Sequence, residues 1–360
     1  MHYPPFILSQ MATLLPELIF EILSRTSLET LEQCKSVSKD WKQIIYDPTF
    51  IPLHSLRTNS LFGYFFQTLK SSNYRSAFVS TAAGAIESTW PRCDGVEILA
   101  SCDQGILICE RQICCRNKRF YACKPATAQW QPLPNPKLRY QTKAVAVVVA
   151  RSHPLRYVIV RLYALGSQLH CEIFDSERWR WEKIIECSPP YGEIVMNGSP
   201  SVTTAGRFVH WLTLNDSVLT LDVEKRRFRC SALPGCLPKS RWTWPRLVEY
   251  EGELGFMCQV EEKEMEVWSN GKKKAVVNMR DTGLQHPVAV EFCSSNVVFI
   301  TSMEGGGFYN LQNRSFSKVE VPYDLRIPLQ VFRFRSDTQI VHLNASQHHN
   351  NNKIHLFCSM

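Results

Sequence analysis

The side chains of greatest chemical potential here are cysteines, fourteen among 360 residues, and six of them fall between Cys93 and Cys123. Clustered thiols hold zinc when two Cys or His pairs stand at short fixed spacings. The stretch has the adjacent Cys114-Cys115 but no Cys-x-x-Cys and no His. Alternation on strands, as small buried hydrophobes, accounts for these thiols better than a metal does. With no secretory signal they are expected to stay reduced. A Gly-x-Ser-x-Gly elbow, a phosphate-cradling glycine loop and a His-Glu-x-x-His helix are all missing. Gly305-Gly306-Gly307 lies between strand signals and reads as a hairpin turn. His348-His349, before three asparagines, reads as a polar loop. The expectation is a protein with no catalytic residues, no metal and no cofactor. Chemistry gives way to binding, where Arg241, Trp242 and Trp244 are the candidates for substrate contact, because exposed Trp and Arg dominate binding hot spots. Burial in the domain core is the competing reading of the two tryptophans.

Composition narrows the partners. The formal charge of +8 comes in part from Arg116-Asn117-Lys118-Arg119, Lys225-Arg226-Arg227 and Lys272-Lys273-Lys274. These clusters are dispersed and not interleaved with an aromatic platform, so nucleic acid is not expected, whereas acidic protein substrates suit the sign. The longest apolar run, Ala144 to Ala150, is strand length, far below a membrane span of about 18 residues. A location in cytoplasm, nucleus or both is expected, with Met1 to Gln10 an unstructured extension.

Two kinds of element position these groups. Leu15, Leu18, Ile19, Ile22 and Leu23 recur at helical spacing on one face. Pro16 suits only the first turn, where the amides are unpaired anyway, and Thr13 stands as a cap upstream. A second helix is expected to be capped by Thr26 with Glu29 reaching back, and to bury Leu28, Leu31 and Cys34. A third carries Val37, Trp41, Ile44 and Ile45 until Asp47-Pro48 stops it. So small a unit buries too little surface alone and needs a partner.

Beyond Val96 the pattern changes to short runs of period two or of solid β-branched content, such as Ala144 to Val149, Tyr157 to Leu162 and Phe208 to Leu212. An aromatic residue recurs in a strand–turn–strand phrase at Trp130, Trp181, Phe228, Trp268 and Phe316, in steps of about 51, 47, 40 and 48 residues. That is the period of a four-stranded propeller blade. About six blades fit the length, with the segment from Ser60 to Ser80 closing the ring against the C-terminus.

The string Leu15-Pro16-Glu17-Leu18-Ile19 with Ile22-Leu23, Leu31, Cys34-Lys35, Val37-Ser38-Lys39 and Trp41 resembles an F-box. Thr26-Ser27 departs from the Leu-Pro common there. The hairpins are similar to kelch repeats, and Tyr121 to Pro134, Ile173 to Trp181 and Arg246 to Trp268 resemble the F-box-associated domain of plant F-box proteins. The resemblance implies a mainly β chain: a three-helix F-box at 11–56, a linker with ring-closing strands at 57–95, and a kelch-like, F-box-associated β-propeller at 96–360. It further implies a substrate-recognition subunit of a Skp–cullin–F-box ubiquitin ligase. The partners would be a Skp-type adaptor, through it a cullin–RING scaffold, and an unknown protein substrate. The adaptor-binding residues it implies are Leu15, Pro16, Leu18, Ile19, Ile22, Leu23, Leu31, Cys34, Val37 and Trp41. A propeller that binds a carbohydrate or other small ligand beneath a helical cap is the alternative; it requires convergent polar groups in a central pocket.

Overall fold

In the computed structural model of the chain, residues 15–344 are described except 48, 81–92, 115–116, 138–139, 153, 185–188, 197–199, 239–244, 262, 286–288, 295–296, 312 and 320–329. Thr13, the extension at Met1 to Gln10 and His348-His349 fall outside these residues. Four helices come first: α1 (Pro16–Leu23), α2 (Leu28–Cys34), α3 (Lys39–Ile45) and α4 (Phe50–Thr58). None exceeds nine residues, so tertiary packing rather than propensity holds them. Pro16 opens α1, as its missing amide allows. Ser27, not Thr26, caps α2: its oxygen accepts from the Thr30 amide at 3.2 Å, while Thr26 Oγ1 donates to the Leu23 carbonyl at 2.8 Å. Ser38 caps α3 in the same way, accepting from the Trp41 amide at 3.1 Å. The expected three helices are followed by α4, which tolerates Pro52 because the amides of a first turn have no partner in the helix.

The rest is a six-bladed propeller. Its first blade contains β1 (Leu61–Lys70) and β2 (Asn73–Ser80). The second is β3 (Glu97–Ser101), β4 (Leu107–Cys114), β5 (Asn117–Lys124) and β6 (Gln129–Pro132). The third is β7 (Thr142–Arg151), β8 (Arg156–Leu165), β9 (Gln168–Asp175) and β10 (Arg180–Lys183). The fourth is β11 (Val202–Thr204), β12 (Phe208–Leu212), β13 (Ser217–Asp222) and β14 (Arg227–Ala232). The fifth is β15 (Arg246–Tyr250), β16 (Glu253–Glu261), β17 (Glu264–Ser269) and β18 (Lys272–Asn278). The sixth is β19 (Ala289–Ser294), β20 (Val297–Ser302), β21 (Gly305–Asn310) and β22 (Phe316–Val319). The last strand, β23 (Gln330–Ser336), returns to the first blade and pairs antiparallel with β1 from Leu61↔Ser336 to Gln67↔Gln330, which closes the ring as expected.

Six apolar clusters lie between the blades, one at each junction. This explains the solid apolar strands: both faces of a strand such as β8 are covered by a neighbouring blade, so polar alternation disappears. The cluster between the sixth and first blades (Phe62, Tyr64, Phe66, Phe299) continues without a break into Leu23, Leu31, Ile45 and Phe50 of the helices. Core of helical module and core of propeller are therefore one.

The recurring aromatic marks the outermost strand at Trp130, Trp181, Phe228 and Phe316, but Trp268 lies on the third strand of its blade. The outer position there belongs to Lys272–Asn278, so the short step of about 40 residues came from sampling a different strand. Lys272, Lys273 and Lys274 therefore lie within that outer strand, β18. Gly305, Gly306 and Gly307 lie in β21 and not in a turn: a Cβ on Gly307 would stand 2.3 Å from the Ser317 carbonyl and 2.6 Å from the Phe316 ring. The described cysteines include Cys93, Cys109 and Cys123, brought together in the core between the first two blades with Cys109 and Cys123 sulfurs 3.7 Å apart. All three are free thiols, buried as hydrophobes.

Candidate functional site

The amphipathic stripe of α1 divides into two rows. Ile19 and Leu23 turn inward, and Leu31 and Cys34 of α2 join them at no more than 8% exposure for the latter three. Trp41 and Ile19 are partly buried against the same cluster, and Phe20 meets Phe50 edge-on with ring centroids 5.4 Å apart. The other row faces solvent: Leu15 is 63%, Leu18 50% and Ile22 52% exposed, at positions i, i+3 and i+7. Pro16 is exposed beside them, and Val37, in the turn leading into α3, is 62% exposed. Of the ten residues anticipated for adaptor contact, five are thus available on the surface and three are spent in the internal core. Exposed leucines and isoleucines on consecutive turns of a helix that is otherwise well packed are the mark of an unfilled interface.

Several polar contacts hold this module in place. Arg57 of α4 grips Glu21 of α1 at 2.9 and 3.0 Å, and its guanidinium holds the Glu21 carboxyl below the usual carboxylate range. His54, fully buried, lies with Nε2 2.9 Å from the Thr26 carbonyl, which can only accept, so Nε2 carries the proton. Burial first, and then the Arg335 guanidinium, push its pKa down to about 4.

Where the helices meet the propeller, charge is arranged across the junction. Tyr46 donates to Glu249 Oε1 at 2.7 Å, Lys42 reaches Glu253 at 3.4 Å, and Arg335 lies 3.7 Å from Glu32. Arg333 pairs with Glu249 at 2.5 Å and with Asp103 at 3.5 Å. Burial works to raise the pKa of both carboxyls; Arg333 and Lys35 outweigh it and hold them below their ordinary values. Tyr46 is driven strongly upward by burial and by Glu249. All of these groups except Arg335 border a cavity of about 840 Å³ between the helices and the propeller, walled also by Val147, Val148, Leu247 and Val248. Its charged groups are engaged with one another. Among the described residues, no three His, Cys, Asp or Glu side chains are grouped to hold a metal ion. Arg241, Trp242 and Trp244 lie outside the described residues. The salt bridges across the helix–propeller junction were not foreseen; a basic residue recurring in the closing strand, at Arg333 and Arg335, was the available signal.

Comparison with known proteins bears on the helical module first. A family model described as an F-box domain matches residues 13–52. The F-box protein At5g41720 of Arabidopsis thaliana is 31% identical over 160 residues, spanning 41% of this chain and 84% of that protein. The F-box protein At5g49610 of the same plant is 25% identical over 285 residues, 72% of this chain and 76% of that one. Among solved structures, TolB from Acinetobacter baumannii aligns over 82% of this chain and 72% of its own at 8% identity, with a TM-score of 0.45.

Proposed function

This chain belongs to the F-box proteins, and from that premise we propose that it is a substrate-recognition adaptor of a Skp–cullin–F-box ubiquitin ligase, active in cytoplasm or nucleus. The observation that carries the reading is the outward row Leu15, Leu18, Ile22 and Val37 on a module whose inward row is already buried. A Skp-type adaptor covers that row. The propeller, of the kelch-like and F-box-associated kind, holds a protein substrate for the conjugating enzyme brought by the cullin–RING scaffold. The chain contributes proximity rather than chemistry: two partners on one body react as if at a raised local concentration. A single continuous core, the ion pairs Lys42–Glu253 and Arg335–Glu32 and the Tyr46–Glu249 hydrogen bond support a fixed geometry between the two ends, which such presentation needs. The carbohydrate-binding alternative wants free convergent polar groups in the channel, and the pairing of Arg333, Glu249 and Asp103 speaks against it.

Co-purification with a Skp-type adaptor tests the reading. The wild-type chain retains the adaptor, and the pair Leu18→Glu with Ile22→Glu loses it while melting at the wild-type temperature. Retention by the double variant removes the proposed interface.

A further inference from the structure

Charge is distributed very unevenly along this chain. From Arg111 to Cys171 there are eleven Lys or Arg and no Asp or Glu, while the remaining residues carry 30 cations against 33 carboxylates. The stretch forms most of the second blade and the inner half of the third. Cations near the F-box end of the propeller draw carboxylates from outside the stretch: Lys124 binds Asp337 at 2.5 Å, Arg156 binds Asp175 at 2.7 Å and Arg151 binds Glu177 at 3.4 Å. Arg161, buried beneath the opposite end, is matched by Glu172 at 3.0 Å.

At that opposite end Lys118 still binds Glu110 at 2.5 Å, but the matching of the other cations stops. Arg111 and Arg119 face each other directly across β4 and β5, both exposed. Like charges so placed destabilise a sheet. Lys137 in the connection to the third blade and Lys183 at the end of β10 are exposed, and Lys143 on β7 bonds only the neutral Gln141 at 2.9 Å. Among the described residues, none of these five cations forms an ion pair, although Lys183 stands across the sheet from Glu172, which Arg161 already binds.

The same end carries apolar side chains on a rigid footing. Tyr140 and Leu165 are exposed above the third blade, where Tyr140 stacks on Tyr163 with centroids 5.6 Å apart and Tyr163 stacks on His170 at 5.5 Å. Arg161 fixes the backbone there by donating to the Tyr140 carbonyl. Beside it the connection to the fourth blade exposes Tyr191 and Ile194, next to Leu214. Leu214 donates its amide to the Ile194 carbonyl at 2.8 Å and Asn215 its side-chain amide to the Gly192 carbonyl at 2.9 Å.

We infer that this end of the second to fourth blades, opposite the F-box, is the substrate-docking surface, and that it takes an acidic polypeptide segment carrying aromatic or aliphatic side chains. Unmatched cations receive the Asp and Glu of the segment, and the Tyr140, Leu165 and Tyr191, Ile194, Leu214 groups receive its apolar residues. The inference rests on the adaptor reading for the word substrate; the binding itself does not.

The probe is a fluorescent glutamate–tyrosine copolymer titrated with the full-length chain, read by anisotropy at low and at physiological salt. Binding is expected in the wild type and weaker at the higher salt. Arg119→Glu with Lys143→Glu should weaken it about tenfold or more. Lys272→Glu with Lys274→Glu, the same change in net charge on the outer strand of the fifth blade, should change it less than about twofold. Lys137→Glu with Lys183→Glu serves as a second reversal should the first pair fail to fold. Tyr191→Ser with Ile194→Ser should weaken the copolymer and spare polyglutamate. Absence of binding, equal loss from the Lys272 and Lys274 pair, or tighter binding of an oligouridylate of equal charge each overturns the proposal. Adaptor co-purification measured on the same samples reports separately on the ligase reading.

Discussion

Leu18 and Leu31 are the same residue type in the same module, and the structure gives them opposite duties. Leu31 is fully buried, so Leu31→Ala should cost about 2–5 kcal/mol of stability, read as a lower midpoint in urea unfolding. Leu18 and Ile22 are half-exposed, so their replacement should leave the midpoint within about 0.5 kcal/mol of wild type while adaptor retention disappears. Helical spacing placed Leu18 and Ile22 on one broad face with Ile19 and Leu23 and could not separate the rows, because which side of a stripe is covered depends on the propeller's Phe62, Tyr64 and Phe66, distant from α1 in sequence. His54 makes a prediction about pH. Its folded pKa of about 4 lies below the ordinary 6.5, so the unfolded chain binds its proton first as pH falls. The stability it confers as a neutral, hydrogen-bonded ring is complete above about pH 6.5 and is lost progressively down to about pH 4. His54→Gln should flatten that part of the profile of melting temperature against pH.

At the scale of elements, the strands from Ala144 to Val149, Tyr157 to Leu162 and Phe208 to Leu212 were legible as runs too apolar for a one-faced sheet. The errors have local causes. Thr26 and Ser27 are both competent caps, and the choice between them is made by the Leu23 carbonyl, which takes the Thr26 hydroxyl. Gly305 to Gly307 carry the composition of a turn, yet they pair as a strand with β20 and β22, and glycine is needed at Gly307 because the Phe316 ring and the Ser317 carbonyl stand against it. The junction between helices and propeller was invisible for a different reason: Tyr46, Asp103, Glu249 and Arg333 come from four separate elements and meet only in the closed ring. Replacing Arg333 by Met would leave the partly buried Glu249 and Asp103 with Lys35 as the nearby cation. A loss of about 1–3 kcal/mol follows, with faster amide exchange in α2 and α3 as the local readout.

For the molecule as a whole, about six blades and ring closure by the first strands followed from the period of the repeat, and the structure has six, closed by β1 on β23. A chain ended at residue 329 lacks β23 and exposes the edge of β1; it should aggregate or be proteolysed where the full chain is not. Cutting away the helices is an equally poor experiment, since it would uncover Phe62, Tyr64 and Phe66, so substitutions on the exposed row separate docking from folding better. Two opposite ends then divide the work: an apolar helical face at one and, at the other, a cationic and aromatic surface. The measurement that tests this most directly is hydrogen–deuterium exchange of the full-length chain with and without a Skp-type adaptor. Slowed exchange confined to α1 and the turn around Val37, with β3 to β14 unchanged, is the predicted result. Protection appearing on the propeller blades, or none in α1, would contradict it.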